Sequence, residues 1–222
     1  MKTEHLLATI ALGGAVLSAG CFAGAYGLTT ANDSGSREVI LRELPWDGST
    51  KLSLGLEADV RFVQAEGEMR LVARGPHRSV STLEVANGHV HDKLLHTGAR
   101  LELTLFAPGV HRFRLNGTSR LVIEGFDQPA LEVAAEGRAW VDAAGRAGKV
   151  TLDLQGRGAV NLARLEVERI GGRVGGTVTV IAAPRTASTI EARSSATVVL
   201  LTRPPEYATR VADAATVIDA AR

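Results

Sequence analysis

Residues 89–92 read "HVHD", and their spacing could do chemistry. His89 and His91 stand two apart in a segment with strand character, so both side chains lie on one side of it, with Asp92 adjacent and His96 near. Two imidazoles so placed can hold zinc or copper. The competing reading is a solvated hairpin beside the turn Asn87-Gly88, and that is the one preferred. "GGRVGG" (171–176) has the look of a phosphate-cradling glycine loop, but such a loop needs a helix N-terminus after it. Here "TVTVI" follows, which spells a strand. "NGT" at Asn116 matches a glycosylation sequon and is taken as coincidence. No Gly-x-Ser-x-Gly nucleophile elbow is present.

Cys21, the one cysteine of the chain, carries a different chemistry. It follows the uncharged run "LLATIALGGAVLSAG" (6–20), which has the length of a signal-peptide core. "SAGC" preceded by Leu17 is similar to the bacterial lipobox, where lipid is attached to the cysteine and the chain is cut before it. Ser18 departs from the leucine usual at that place. Three readings stand side by side: lipid attachment at Cys21, an uncleaved membrane anchor, and cleavage after "AGA" (23–25). All place the body outside the cytoplasm, with a lipid or an apolar helix joining it to the membrane. Residues 1–20 are then signal peptide or anchor, 21–37 a polar tether containing "TTANDSGS", and 38–222 one folded domain. A lone cysteine rules out an intramolecular disulfide.

The elements that position these residues follow from a repeat. "LDLQGRGAVNL" (152–162) alternates apolar and polar residues around Gly156. The same frame recurs on Gly117, Gly137 and Gly176, with Ser194 and Asp213 at the equivalent place in the last two. The spacings are 20, 19, 20, 18 and 19 residues. A constant period of this length predicts a solenoid, because no single coil can bury its inner face without neighbours. The leucine and asparagine ladder of leucine-rich repeats is missing. The prediction is therefore an all-β chain: a right-handed, single-stranded β-helix of about 19–20 residues per coil. "GFDQPA", "AGRAGK", "APRTAS" and "RPPE" supply its turns. Before residue 110 the period fails, and alternating runs such as "LSLGLEADVRFV" and "LELTLF" predict antiparallel strands.

The period also says which residues share a column. Three before each anchor stand Arg114, Ala134, Asp153, Arg173, Glu191 and Arg210, so opposite charges alternate over the last four coils. That predicts an ion-pair ladder favouring correct register. Solenoid enzymes need carboxylates stacked on adjacent coils. Here Asp142 is followed in phase by Asn161 and Ile181, and Glu136 by Gln155 and Gly175. A carbohydrate-active β-helix enzyme is accordingly the second choice. The first is a non-enzymatic adhesion, interaction or structural module, with no cofactor, and with an envelope protein, a glycan or a second copy of itself as partner. The 25 basic and 24 acidic residues, net +1, argue against nucleic acid. An aromatic content of 4% argues mildly against stacking platforms for bases or sugars.

"KLSLGLEADVRFVQAEGEMRLVARG" (51–75), then "LELTLFAP" (101–108) and the glycine frames, resemble the auto-transporter adhesin, head GIN domain, family over residues 45–219. The resemblance implies a β-solenoid exported to a bacterial envelope, and it transfers no catalytic residue.

Overall fold

The computed structural model describes residues 38–93 and 100–220. The segment 1–37, with Cys21 and the tether, and His96 lie outside the described residues. The body is all-β apart from one short helix. In chain order the elements are β1 (Val39–Pro45), β2 (Lys51–Leu54), β3 (Ala58–Gln64), β4 (Arg70–Pro76), α1 (His77–Ser81), β5 (Leu83–Ala86), β6 (His89–Asp92) and β7 (Leu101–Ala107). Then come β8 (Arg112–Val174), β9 (Thr177–Ala192), β10 (Thr197–Leu200), β11 (Glu206–Tyr207), β12 (Arg210–Val211) and β13 (Thr216–Asp219).

β8 comprises 63 residues of extended backbone. Laid straight it would reach roughly 200 Å. It does not, because residues one period apart touch: the backbone of Gly137 lies on Gly117, Gly156 on Gly137, and Gly145 on Phe126. The same spacing continues in the parallel pairing of β8 with β9, where Arg157 pairs with Thr177 and Val160 with Val180. β9 in turn pairs in parallel with β10, Thr179 opposite Thr197, and β10 with β13, Thr197 opposite Thr216.

All six anchor positions share a positive φ. φ is +83° at Gly117, +101° at Gly137, +119° at Gly156, +78° at Gly176, +61° at Ser194 and +58° at Asp213. A turned corner with φ above zero is what glycine allows at no steric cost, and short polar side chains tolerate its left-handed part. Asp213 also has a bond of its own: Oδ2 accepts the Ser194 backbone N–H at 3.0 Å. The residue that fits the glycine frame least thus caps the neighbouring coil.

The apolar frame positions point inward. Leu152, Leu154, Val160 and Leu162 are buried, as are Phe113, Leu115, Leu121 and Ile123 in the first frame and Ile190, Ala192, Val198 and Leu200 in the fifth. Each large aliphatic side chain withdrawn from water contributes about 1.5–3 kcal/mol before chain entropy is charged against it. In the last frame Val211 stays exposed, since no further segment covers it among the described residues, while Ile218 lies at an outward phase in register with Val199.

The N-terminal part is mixed and departs from the antiparallel expectation. β1 with β4, β4 with β7, and β5 with β6 are antiparallel. β3, however, runs parallel to both β7 and residues 119–124 of β8, and β2 runs parallel to β6 and to residues 112–115. Together the strands form one mixed sheet of 13 strands. The turn joining β5 to β6 has φ of +52° at Asn87 and +70° at Gly88, the geometry that makes Asn-Gly a hairpin signal. α1 has no counterpart in the sequence pattern; the Arg42 guanidinium holds its end by donating to the carbonyls of Val80, Ser81 and Leu83.

Candidate functional site

Strand alternation decides what the outer face carries. Ala139, Val141 and Ala143 point inward, so Trp140 and Asp142 point out. In the next coil Val160 and Leu162 are inward, and Ala159 and Asn161 lie outward of them. In the coil before, Ser119 and Leu121 are buried and Arg120 is exposed. Arg120 pairs in register with Asp59 of β3, so one column reads Asp59, Arg120, Trp140, Ala159, Thr179.

Asp59, Arg120, Trp140 and Ala159 of this column, with Arg100, Asp142 and Asn161, line an open cleft of about 540 Å³. That volume is within the range of small-molecule sites. Trp140 is its aromatic wall at 41% exposure, whereas Trp46 is 5% exposed and donates its indole N–H to the Ser49 carbonyl at 2.9 Å. Gly158 shapes the floor. Its φ is +138°, and a Cβ there would fall 1.8 Å from the carbonyl oxygen of Ala139. The coil carrying Ala159 is therefore pressed against the coil carrying Trp140, and the small Ala159 side chain leaves the indole face open.

The polar walls are held by ion pairs. Arg100 grips Asp59 with two hydrogen bonds, Nε to Oδ2 at 2.7 Å and Nη2 to Oδ1 at 2.6 Å. Asp142 Oδ1 accepts from Arg164 Nη2 at 3.0 Å, and Asn161 Oδ1 accepts the Ala163 N–H at 3.2 Å. The Arg100 hydrogen bond holds the Asp59 carboxyl below its ordinary value; partial burial opposes this, and the charges of Arg100 and Arg120 reinforce it. A depressed carboxylate contributes stability that is present above its unfolded pKa, about 3.9, and is lost as pH falls through its folded value. Asp59→Asn is therefore expected to flatten the loss of stability below about pH 4. The difference should be under about 1 kcal/mol, because the pair is largely exposed. Urea midpoints measured from pH 7 to pH 2 on both proteins check this.

A second, smaller hollow of about 240 Å³ is lined by Arg114, Asn116, Glu136, Asp153, Gln155 and Arg173. The predicted ladder is built in part here: Arg173 Nη2 meets Asp153 Oδ2 at 3.1 Å. Glu191 stands in register with Arg173 and Arg210, but its carboxylate bonds to Arg193 in its own coil. The acid columns read from the sequence are thus divided. Asp142 and Asn161 belong to the cleft, Glu136 and Gln155 to this hollow.

His89 and His91 do share one side of β6, with rings stacked at 5.3 Å. His91 Nε2 lies 3.7 Å from Glu84, whose carboxylate also takes Lys93 at 2.8 Å. Asp92 faces the other way, buried and accepting from the Thr82 hydroxyl at 2.7 Å. Among the described residues no three His, Cys, Asp or Glu side chains converge as metal ligands. "GGRVGG" places Gly172 over the Leu152 carbonyl and Gly176 over the Gly156 carbonyl, with β9 following, so its glycines serve close backbone contact.

Sequence reasoning missed Trp140. The signal was there: it stands three residues after the Gly137 anchor, a phase that puts side chains outward, and a large ring is out of place in an outer column otherwise charged or small.

Comparison with known proteins agrees with the fold. A crystal structure from Bacteroides fragilis, described as a "putative adhesin", superimposes with a TM-score of 0.61 at 12% identity, covering 82% of this chain and 97% of that one. Others, a "putative lipid binding protein" from Parabacteroides distasonis and a "putative adhesin" from Parabacteroides merdae, reach 0.43 and 0.42 at 11% and 9% identity. The first covers 82% of this chain and 97% of its own, the second 81% and 95%. No curated protein matches the chain. Residues 58–204 match the family described as "Putative auto-transporter adhesin, head GIN domain", and the chain belongs to that family.

Proposed function

We propose that the chain is an exported bacterial envelope protein, a β-solenoid that acts as a non-enzymatic interaction or adhesion module. Stacking at one period gives it outer columns that run across coils, and such faces suit recognition. The observation that carries the reading is the state of the carboxylates. Asp59 is held by Arg100, Asp142 by Arg164 and Asp153 by Arg173. A general acid needs a carboxyl whose pKa is raised toward neutrality, and the Arg100 hydrogen bond holds Asp59 the other way. Held in ion pairs, these carboxylates are suited to recognising polar groups.

In this reading the body is joined to the membrane through the 1–37 segment, by lipid on Cys21. No helix among the described residues is long and apolar enough to cross a membrane. Cell fractionation with a lipid-labelling assay tests this. Cys21→Ala is expected to release an intact, exported body from the membrane fraction, and unchanged retention with an uncleaved N-terminus would contradict lipid attachment. Pull-down from envelope extracts with the full chain is expected to retain an envelope component. Turnover of a polysaccharide from a broad panel would replace the interaction module with an enzyme.

A further inference from the structure

We infer that the Trp140 cleft is a saccharide site, selective for a pyranose that bears a carboxylate. The inference rests on the interaction-module reading and names the ligand class of its cleft.

Three features of the cleft converge. The first is the ring. An indole at 41% exposure gains nothing for the fold from its uncovered face. The face of an indole is apolar and carries negative quadrupole charge, so it attracts flat surfaces with slightly positive hydrogens. The C–H face of a pyranose has both properties.

The second is the pair beside the ring. Asp142 spends Oδ1 on Arg164, which fixes the carboxylate and balances its charge while Oδ2 makes no hydrogen bond among the described residues. Asn161 spends its carbonyl on Ala163 N–H, so its NH₂ is left to donate. An acceptor and a donor on adjacent coils, about 4.8 Å apart at the backbone, match neighbouring hydroxyls on one sugar ring.

The third is Arg120, between Asp59 and Trp140 in the column. Asp59 already receives both hydrogen bonds of the Arg100 fork. Arg120 makes no hydrogen bond among the described residues, and a guanidinium is the side chain that takes a carboxylate in two parallel bonds. A sugar stacked on Trp140 with its hydroxyls toward Asp142 and Asn161 presents its opposite edge to Arg120. A uronic acid has its carboxylate on such an edge.

The test uses the full chain, titrated with oligogalacturonate, with neutral gluco- and galacto-oligosaccharides, and with an unrelated acidic peptide. Calorimetry and tryptophan fluorescence are read together. Oligogalacturonate is expected to bind and to perturb the exposed-tryptophan emission, with the neutral sugars at least tenfold weaker. Trp140→Ala should weaken oligogalacturonate at least tenfold. Arg120→Gln should bring the acidic sugar down to the level of the neutral ones without changing neutral binding. Melting temperatures report folding, so that loss of binding by a folded variant is separated from loss of the fold. Equal binding by wild type and Trp140→Ala, or binding of the peptide and of no saccharide, would overturn the saccharide site. If pull-down still retains an envelope component, the interaction module stands without it; if pull-down fails too, the broader reading falls with it.

Discussion

Gly156→Val is expected to unfold the body or leave it insoluble. A Cβ at this position would lie 2.1 Å from the Gly137 carbonyl oxygen and 2.9 Å from two further Gly137 backbone atoms. Backbone cannot swing aside as a flexible side chain can, so the coils must separate. The φ of +119° adds a penalty of about 1–3 kcal/mol for any side chain. Separation then removes the backbone contacts of this segment with the segments one period before and after it. Against a total stability of about 5–15 kcal/mol this is a large loss. Gly109→Ala is the control: a Cβ there meets nothing within 4 Å, and its melting temperature should stay close to wild type. Thermal unfolding by circular dichroism separates the two.

Phe113→Ala should cost about 3–5 kcal/mol. Phe113 opens the first glycine frame, and its ring meets Phe62 of β3 edge-on, centroids 5.2 Å apart at 66°. Both are fully buried. The pair ties the periodic half of the chain to the mixed N-terminal half, so truncation opens a cavity at their junction. Urea unfolding checks the magnitude. A double-mutant cycle with Phe62→Ala should show coupling of about 0.5–1.5 kcal/mol, the share belonging to the edge-to-face geometry.

The spacing of the anchors was legible because its constraint is local and repeated. Each corner demands φ above zero, so glycine, serine or aspartate marks it every 18 to 20 residues. The N-terminal half was legible only in its antiparallel pairs, the Asn87-Gly88 hairpin among them, because its parallel pairings join segments far apart. β3 lies between Leu101–Ala107 and residues 119–124, and nothing within "ADVRFVQ" announces either neighbour. α1 is hidden for a related reason: five residues held by Arg42, nearly forty positions back, show no helical period. The cause of Gly158 lies outside its own segment, in the Ala139 carbonyl that leaves no room for a Cβ.

The cleft was half legible. Trp140, Asp142 and Asn161 fall in phase with the repeat, and the pairing of Asp142 with Asn161 was read from it. Asp59 and Arg100 come from the aperiodic half, 41 residues apart, and meet Arg120 only through β3 pairing with β8. The low aromatic content pointed away from a stacking platform. Composition counts rings, however, and recognition depends on where a single ring stands.

The cleft exists only if coils stack in parallel register, and a distance measures that directly. Spin labels on cysteines replacing Arg138 and Ala214, with Cys21→Ser to keep labelling specific, lie one residue after the second and sixth anchors. Both side chains are exposed. Four stacking steps of about 4.8 Å place their backbones roughly 19 Å apart. Double electron–electron resonance should give one narrow distribution near that distance, widened by the label arms. A broad distribution, or a mean beyond about twice that value, would contradict the stacked fold and the binding face built on it.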